Sequence, residues 1–218
     1  MKHVRVVLLL LLFGLLPAGL WAAVGCDLND PDRDVKKLFP ESTGYKTHYM
    51  SVDRIGDKQA LGRIEQRLGD RFHGLYETLD VPYTIYEIQK GPESVGYIHG
   101  VNQKGAYGGI QVFLALDKSG RIKSFYIQKL TSRAAKELRS PAFGRQFEGL
   151  GFGDFESYSV SSGLATEGPV RAIKNPSPGS AADFRAILRA TKKNLVLMDE
   201  FVFRQAGDAT PQNHREGK

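Results

Sequence analysis

The stretch KGAYGGIQVFLALDKSGRIKSFYIQKL, Lys104 to Leu130, decides the fold. Two runs rich in β-branched and aromatic residues, Ile110–Leu116 and Ile122–Leu130, flank Asp117-Lys118-Ser119-Gly120, where Gly120 supplies the positive φ that a four-residue connection needs. This pattern predicts a β-hairpin. Ile110, Val112, Leu114 and Leu116 fall on one face of its first strand, whereas Ile122, Phe125 and Ile127 do not alternate strictly. The second strand should therefore carry a bulge or be buried on both faces. Ahead of the hairpin, Gly105, Gly108 and Gly109 precede a strand, where glycine serves a bulge or the close approach of another group to the backbone.

Upstream, Tyr83–Gln89 and Val95–Asn102 read as two more strands joined by the turn Lys90-Gly91-Pro92-Glu93, and Tyr45–Val52 as another. From Lys58 to Leu79 the residues Leu61, Ile64, Leu68, Phe72 and Leu75 recur at helical spacing, with breaks expected at Gly69 or Gly74. Downstream, Ser132–Arg139 reads as a short helix with Ser132 as N-cap, and Phe143, Phe147 and Leu150 as plugs for the core. Gly149–Gly179 is a long irregular stretch of the kind that is usually functional or mobile. Ser180-Ala181-Ala182-Asp183 has the spacing of a capping box and opens a last helix with Phe184, Ile187, Leu188, Thr191 and Leu195 on its apolar face. The fold class is α+β: an antiparallel β-meander of about four to five strands packed with an amphipathic helix and a C-terminal helix.

The ends of the chain set compartment and boundaries. MKHVR followed by the apolar run Val6–Leu16 and the small-residue exit up to Gly25 reads as a signal peptide over residues 1–25, which implies export. Residues 26–43, with Asn-Asp-Pro-Asp, Phe-Pro and Ser-Thr-Gly, read as a polar linker carrying a short helical turn at Asp34–Phe39. The domain is then residues 44–204, and the polar tail 205–218 is expected to be disordered. Cys26 is the only cysteine of the 218 residues, so no intrachain disulfide forms. Ala23-Val24-Gly25-Cys26 resembles a bacterial lipoprotein box with Ala23 where leucine is usual, and it equally suits ordinary cleavage beside an incidental cysteine.

The formal net charge of +6 comes from basic residues scattered among acids rather than gathered in a stripe, which argues against a nucleic-acid partner. His48, His73 and His99 are isolated and no CxxC or HxxxH occurs, so no metal site is expected. No nucleophile elbow or paired-carboxylate constellation supports a hydrolase. A stand-alone catalyst is not indicated.

Four segments in order resemble the periplasmic FMN-binding domain found in small subunits of Rnf-type and sodium-pumping NADH:quinone reductases and in regulators of nitrous oxide reductase. They are Asp34-Val35-Lys36-Lys37-Leu38-Phe39-Pro40, Val95-Gly96-Tyr97, Gly105-Ala106-Tyr107-Gly108-Gly109-Ile110 and Leu116-Asp117-Lys118-Ser119-Gly120-Arg121-Ile122. The resemblance spans about residues 34 to 199. It implies an exported electron carrier or accessory factor of a membrane redox complex. The family esterifies FMN to a threonine in Ser-Gly-Ala-Thr just before the last helix; here that place reads Asn175-Pro176-Ser177-Pro178-Gly179-Ser180-Ala181-Ala182, with Thr166 in Ser162-Gly163-Leu164-Ala165-Thr166 as the alternative acceptor. The resemblance thus implies FMN held noncovalently, its phosphate at Ser177 and Ser180 and its ring at Tyr107, Gly108 and Gly109, so that the glycine loop should lie near the start of the last helix. The rival reading is a flavin-free periplasmic interaction module on the same fold.

Overall fold

The computed structural model describes residues 26–204. The expected signal segment, 1–25, and the tail, 205–218, lie outside the described residues. Five strands form one antiparallel sheet in chain order: β1 (Gly44–Met50), β2 (Tyr83–Lys90), β3 (Glu93–Lys104), β4 (Gly109–Leu116) and β5 (Ile122–Leu130). The fold is the α+β meander that the hairpin pattern indicates.

The turns follow from local chemistry. Between β2 and β3, Gly91 takes φ +59 and Pro92 holds its ring-fixed negative φ, the signs required by a two-residue primed turn. Between β4 and β5, the Asp117 carboxylate accepts the N–H groups of Ser119 and Arg121 at 2.8 and 3.0 Å, closing the connection from within. Register shifts at Gln111/Val112 and Ala115/Leu116 place bulges in the β4–β5 pairing, in keeping with the broken alternation of β5.

Both faces of the sheet are covered. Ile85, Val101, Val112, Leu114, Leu116 and Ile127 face a layer made of α2 (Asp57–Leu68), the last helix and the aromatic plugs Phe143, Phe147 and Phe155. Tyr86, Ile88, Ile98, Phe113 and Ala115 on the opposite face are sealed by Cys26, Leu28, Val35, Leu38 and Phe39. The covering segment is residues 26–39, read above as part of a linker. It contains α1 (Pro31–Leu38), whose N-cap Asp30 accepts the Arg33 N–H at 3.2 Å. The helical turn expected at Asp34–Phe39 is part of this longer helix, which buries Val35 and Leu38, with Phe39 buried just beyond its end. Gly96 explains how that helix docks: a Cβ there would collide with the Leu116 carbonyl and the Phe39 ring.

The remaining helices are α3 (Ala135–Leu138), α4 (Pro141–Gly144) and α5 (Ala181–Met198), which runs on into a π-helical turn, Asp199–Phe203. The α2 helix ends at Gly69, so Leu75, expected on its apolar face, is 61 % exposed. Ser132 does not cap α3, which begins only at Ala135; its hydroxyl instead accepts the Ala134 N–H at 3.2 Å. The long stretch after Gly149 is pinned by the buried side chains of Phe155, Tyr158, Val170 and Ile173 and by a small hairpin of β6 (Tyr158–Ser159) and β7 (Leu164–Ala165). Among the described residues no helix is long and apolar enough to cross a membrane.

Candidate functional site

The glycine loop meets the start of α5. The loop closes on itself through Gly105 N–H to Gly108 O at 2.8 Å, and the next N–H, that of Ala106, donates to Asp183 Oδ1 at 2.8 Å. Asp183 is 1 % exposed. The sequence pattern assigns this carboxylate to a capping box, but Ser180 makes no side-chain cap and its N–H goes to the Ser177 carbonyl at 2.9 Å. Asp183 has turned outward from its own helix to hold the loop, and its Oδ2 is buried without a hydrogen-bond partner in the structure.

The loop glycines are explained by protein neighbours. A Cβ on Gly105 would lie 2.7 Å from Ile110 Cδ1 and 3.0 Å from Asp183 Oδ1; one on Gly108 would meet Thr131 at 3.3 Å, and one on Gly109 the Tyr76 hydroxyl at 3.0 Å. Tyr107 is 56 % exposed, with the Arg133 guanidinium 5.6 Å from its ring centre. Ser177 donates its N–H to Asn175 Oδ1 at 3.0 Å and its side chain caps nothing. Thr166 lies exposed just beyond β7, its N–H on the Ser157 carbonyl at 3.3 Å.

These residues do not fit FMN. The N–H groups that would bind a phosphate are in the turn that carries the Asp183 carboxylate, and two like charges about 4 Å apart repel by about 4 kcal/mol at an effective dielectric of 20. The spaces left by the missing Cβ atoms face Ile110, Asp183, Thr131 and Tyr76 rather than an open slot.

Cys26 is 4 % exposed on the covered face of the sheet, and burial pushes its thiol well above the ordinary range.

Between α5 and the sheet lies a buried polar layer that sequence reading missed. Lys193, wholly buried, donates to Glu77 Oε1 at 2.9 Å and to the Asn102 carbonyl at 2.6 Å. Arg189 reaches the same Glu77 oxygen at 2.6 Å, Asp70 Oδ2 at 2.8 Å and Gln103 Oε1 at 2.7 Å. Burial pushes the Glu77 carboxyl up, but Arg189 and Lys193 outweigh it and hold it below the usual carboxylate range. Burial lowers Lys193 to about 8 against the pull of Glu77. His99, also wholly buried, is lowered by burial to about 4 despite its bond to Asn194. Glu77, Lys193, His99 and Asn194 are buried while Arg189 and Asp70 are partly exposed at the rim, and these bonds fasten α5 to the sheet and to the segment after α2. The only sequence signal was the run Thr191-Lys192-Lys193-Asn194, two lysines interrupting an apolar helix.

Two larger hollows open at the surface. One, of about 580 Å³, is lined by Arg63, Arg67, Lys192 and Arg204. Its three arginines already face Glu200 at 2.8 to 3.0 Å. The other, of about 530 Å³, runs along the outer edge of β5 between α1 and the α3–α4 segment. Its cations are Lys37, Arg139 and Arg145, its single acid is Glu148, and the half-buried Phe125 and Tyr126 supply apolar surface. Among the described residues no group of three or more His, Cys, Asp or Glu is placed to hold a metal ion.

No protein-family model matches the chain, and no curated protein matches it either.

Proposed function

We propose that this chain is a flavin-free interaction module, exported to the periplasm, that serves a membrane redox system as an accessory factor and does not carry electrons itself. The observation that carries this reading is the buried Asp183 carboxylate between the glycine loop and the start of α5. It supports a site that has become a structural latch, with an anion of the protein's own where the resemblance implies a flavin phosphate. The groove beside β5 supports the interaction half of the reading, since it combines cations without acidic partners and half-buried aromatic surface. Export rests on the basic and apolar leader, residues 1–25.

The test is a titration with FMN of the protein purified from the envelope of the cells that make it, together with its intact mass and N-terminal sequence. The expected result is a colourless protein without a flavin adduct, lacking the leader, and unsaturated at high micromolar FMN. A flavin absorbance band or saturable FMN binding would replace this reading with an electron carrier.

A further inference from the structure

We propose that the groove along the edge of β5 binds an extended, acidic segment of a partner protein. This deepens the interaction-module reading and rests on it.

The floor of the groove is a sheet edge that is closed at its two ends and open between them. At one end Ile122 donates its N–H to the Leu150 carbonyl at 2.8 Å and accepts the Gly149 N–H at 2.7 Å. At the other, Arg139 Nη2 donates to the Gln128 carbonyl at 2.9 Å. Between these seals β5 has β4 on one side only. Gly144 forms the wall beside Phe125: a Cβ there would stand 3.4 Å from the Phe125 carbonyl oxygen and 3.7 Å from its ring, so the absent side chain holds this wall back from the strand. Residues 124–128 thus present roughly 17 Å of strand as a floor, at about 3.3 Å per residue. An extended chain matches such a floor, with backbone along the edge and alternate side chains on Phe125 and Tyr126.

Charge selects the chemistry of the occupant. Among the described residues neither Lys37 nor Arg145 has a carboxylate within salt-bridge distance; the Lys37 ammonium rests 4.8 Å over the Tyr126 ring. With Arg139 they make three cations against Glu148. A second copy of this chain would bring the same cations face to face, whereas acidic side chains on an extended segment would pair with them.

The experiment pans a displayed library of random nonapeptides against the purified protein. The expected winners alternate apolar residues with Asp or Glu, weaken as salt rises, and slow hydrogen exchange at the backbone amides of 124–128. Gly144→Leu fills the groove without backbone strain, because Gly144 already has helical φ −59 and ψ −40. That variant, and Lys37→Glu with Arg145→Glu, should each bind the winning peptide at least about tenfold more weakly while melting like the wild type; tenfold corresponds to about 1.4 kcal/mol. Peptides that bind wild type and Gly144→Leu equally would overturn the groove and leave an interaction module using another surface. No enrichment, or enrichment of basic peptides, would overturn the groove as well. Saturable FMN binding, measured separately, would overturn the underlying reading instead.

Discussion

Asn194 is bonded twice to His99: its amide nitrogen donates to the His99 carbonyl at 2.8 Å, and its amide oxygen meets His99 Nδ1 at 2.9 Å. This pair ties α5 to β3 and fixes the ring's tautomer, because an amide oxygen only accepts. Nε2 then carries the lone pair, buried and without a partner in the structure. Asn194→Ala should lower stability by about 1–3 kcal/mol, the cost of leaving buried polar groups unmet. Urea unfolding followed by circular dichroism measures it, and a change under about 0.5 kcal/mol would contradict the role.

Acid should loosen the fold through His99 before it reaches the carboxylates. The unfolded ring takes up a proton near 6.5 and the folded one only near 4, so between these values the unfolded state binds more protons. Stability therefore falls as pH drops through that window, with a slope approaching about 1.4 kcal/mol per pH unit. Glu77 and Glu200, both held below the usual carboxylate range, lose their contribution only at lower pH, as it falls through their depressed values. Unfolding free energies measured from pH 7 to pH 4 should show a clearly flatter profile for His99→Gln.

Removing one member of the buried ion cluster should be costly. Glu77→Ala leaves Lys193 wholly buried with only the Asn102 carbonyl beside it and should destabilise by about 3–5 kcal/mol. Glu77→Leu combined with Lys193→Met should recover a large part of the loss, since Arg189 keeps Asp70. Equal loss in the single and the double variant, by denaturant titration, would show that Lys193 is not the charge left stranded.

The latch at the start of α5 separates two substitutions that the sequence pattern would treat alike. Ser180→Ala should change the melting temperature little, because the hydroxyl caps nothing. Asp183→Ala removes the acceptor of the Ala106 N–H and should cost about 1–3 kcal/mol. Hydrogen exchange at Ala106 should speed up in the second variant only.

Cys26 should be silent toward a thiol reagent in buffer and react fully in guanidinium, because its burial disfavours the thiolate and blocks access. Rapid reaction of the folded protein, or no free thiol after unfolding, would contradict the packing seen at this residue.

The sheet was legible because its strands carry β-branched residues between turns whose chemistry is local, and β4 reads the same in sequence and in space from Ile110 to Leu116. The juxtaposition of the glycine loop with the last helix was legible too, but only through the resemblance. What escaped reading was set by partners distant in sequence. Residues 26–39 are polar on average, yet Val35, Leu38 and Phe39 suffice to bury a helix once Gly96 admits the Phe39 ring. Lys193 in an apolar helix makes sense only with Glu77, and Asp183 only with Ala106. The cations of the β5 groove come from α1 and the α3–α4 segment, which nothing in the chain order places together.

The packing of residues 26–39 also sets how far the domain can stand from whatever precedes it. A linker spanning 26–43, fully extended, would reach about 60 Å and let the domain sample a wide volume. Instead the chain enters the fold at Cys26, where Leu28 donates its N–H to the Tyr86 hydroxyl at 3.2 Å and Gln128 takes hold of the Asp27 carbonyl at 2.9 Å. No slack remains at that end. With the leader removed after residue 25, as proposed, the mature chain would begin inside this packed segment and have no free N-terminal arm with which to reach a partner.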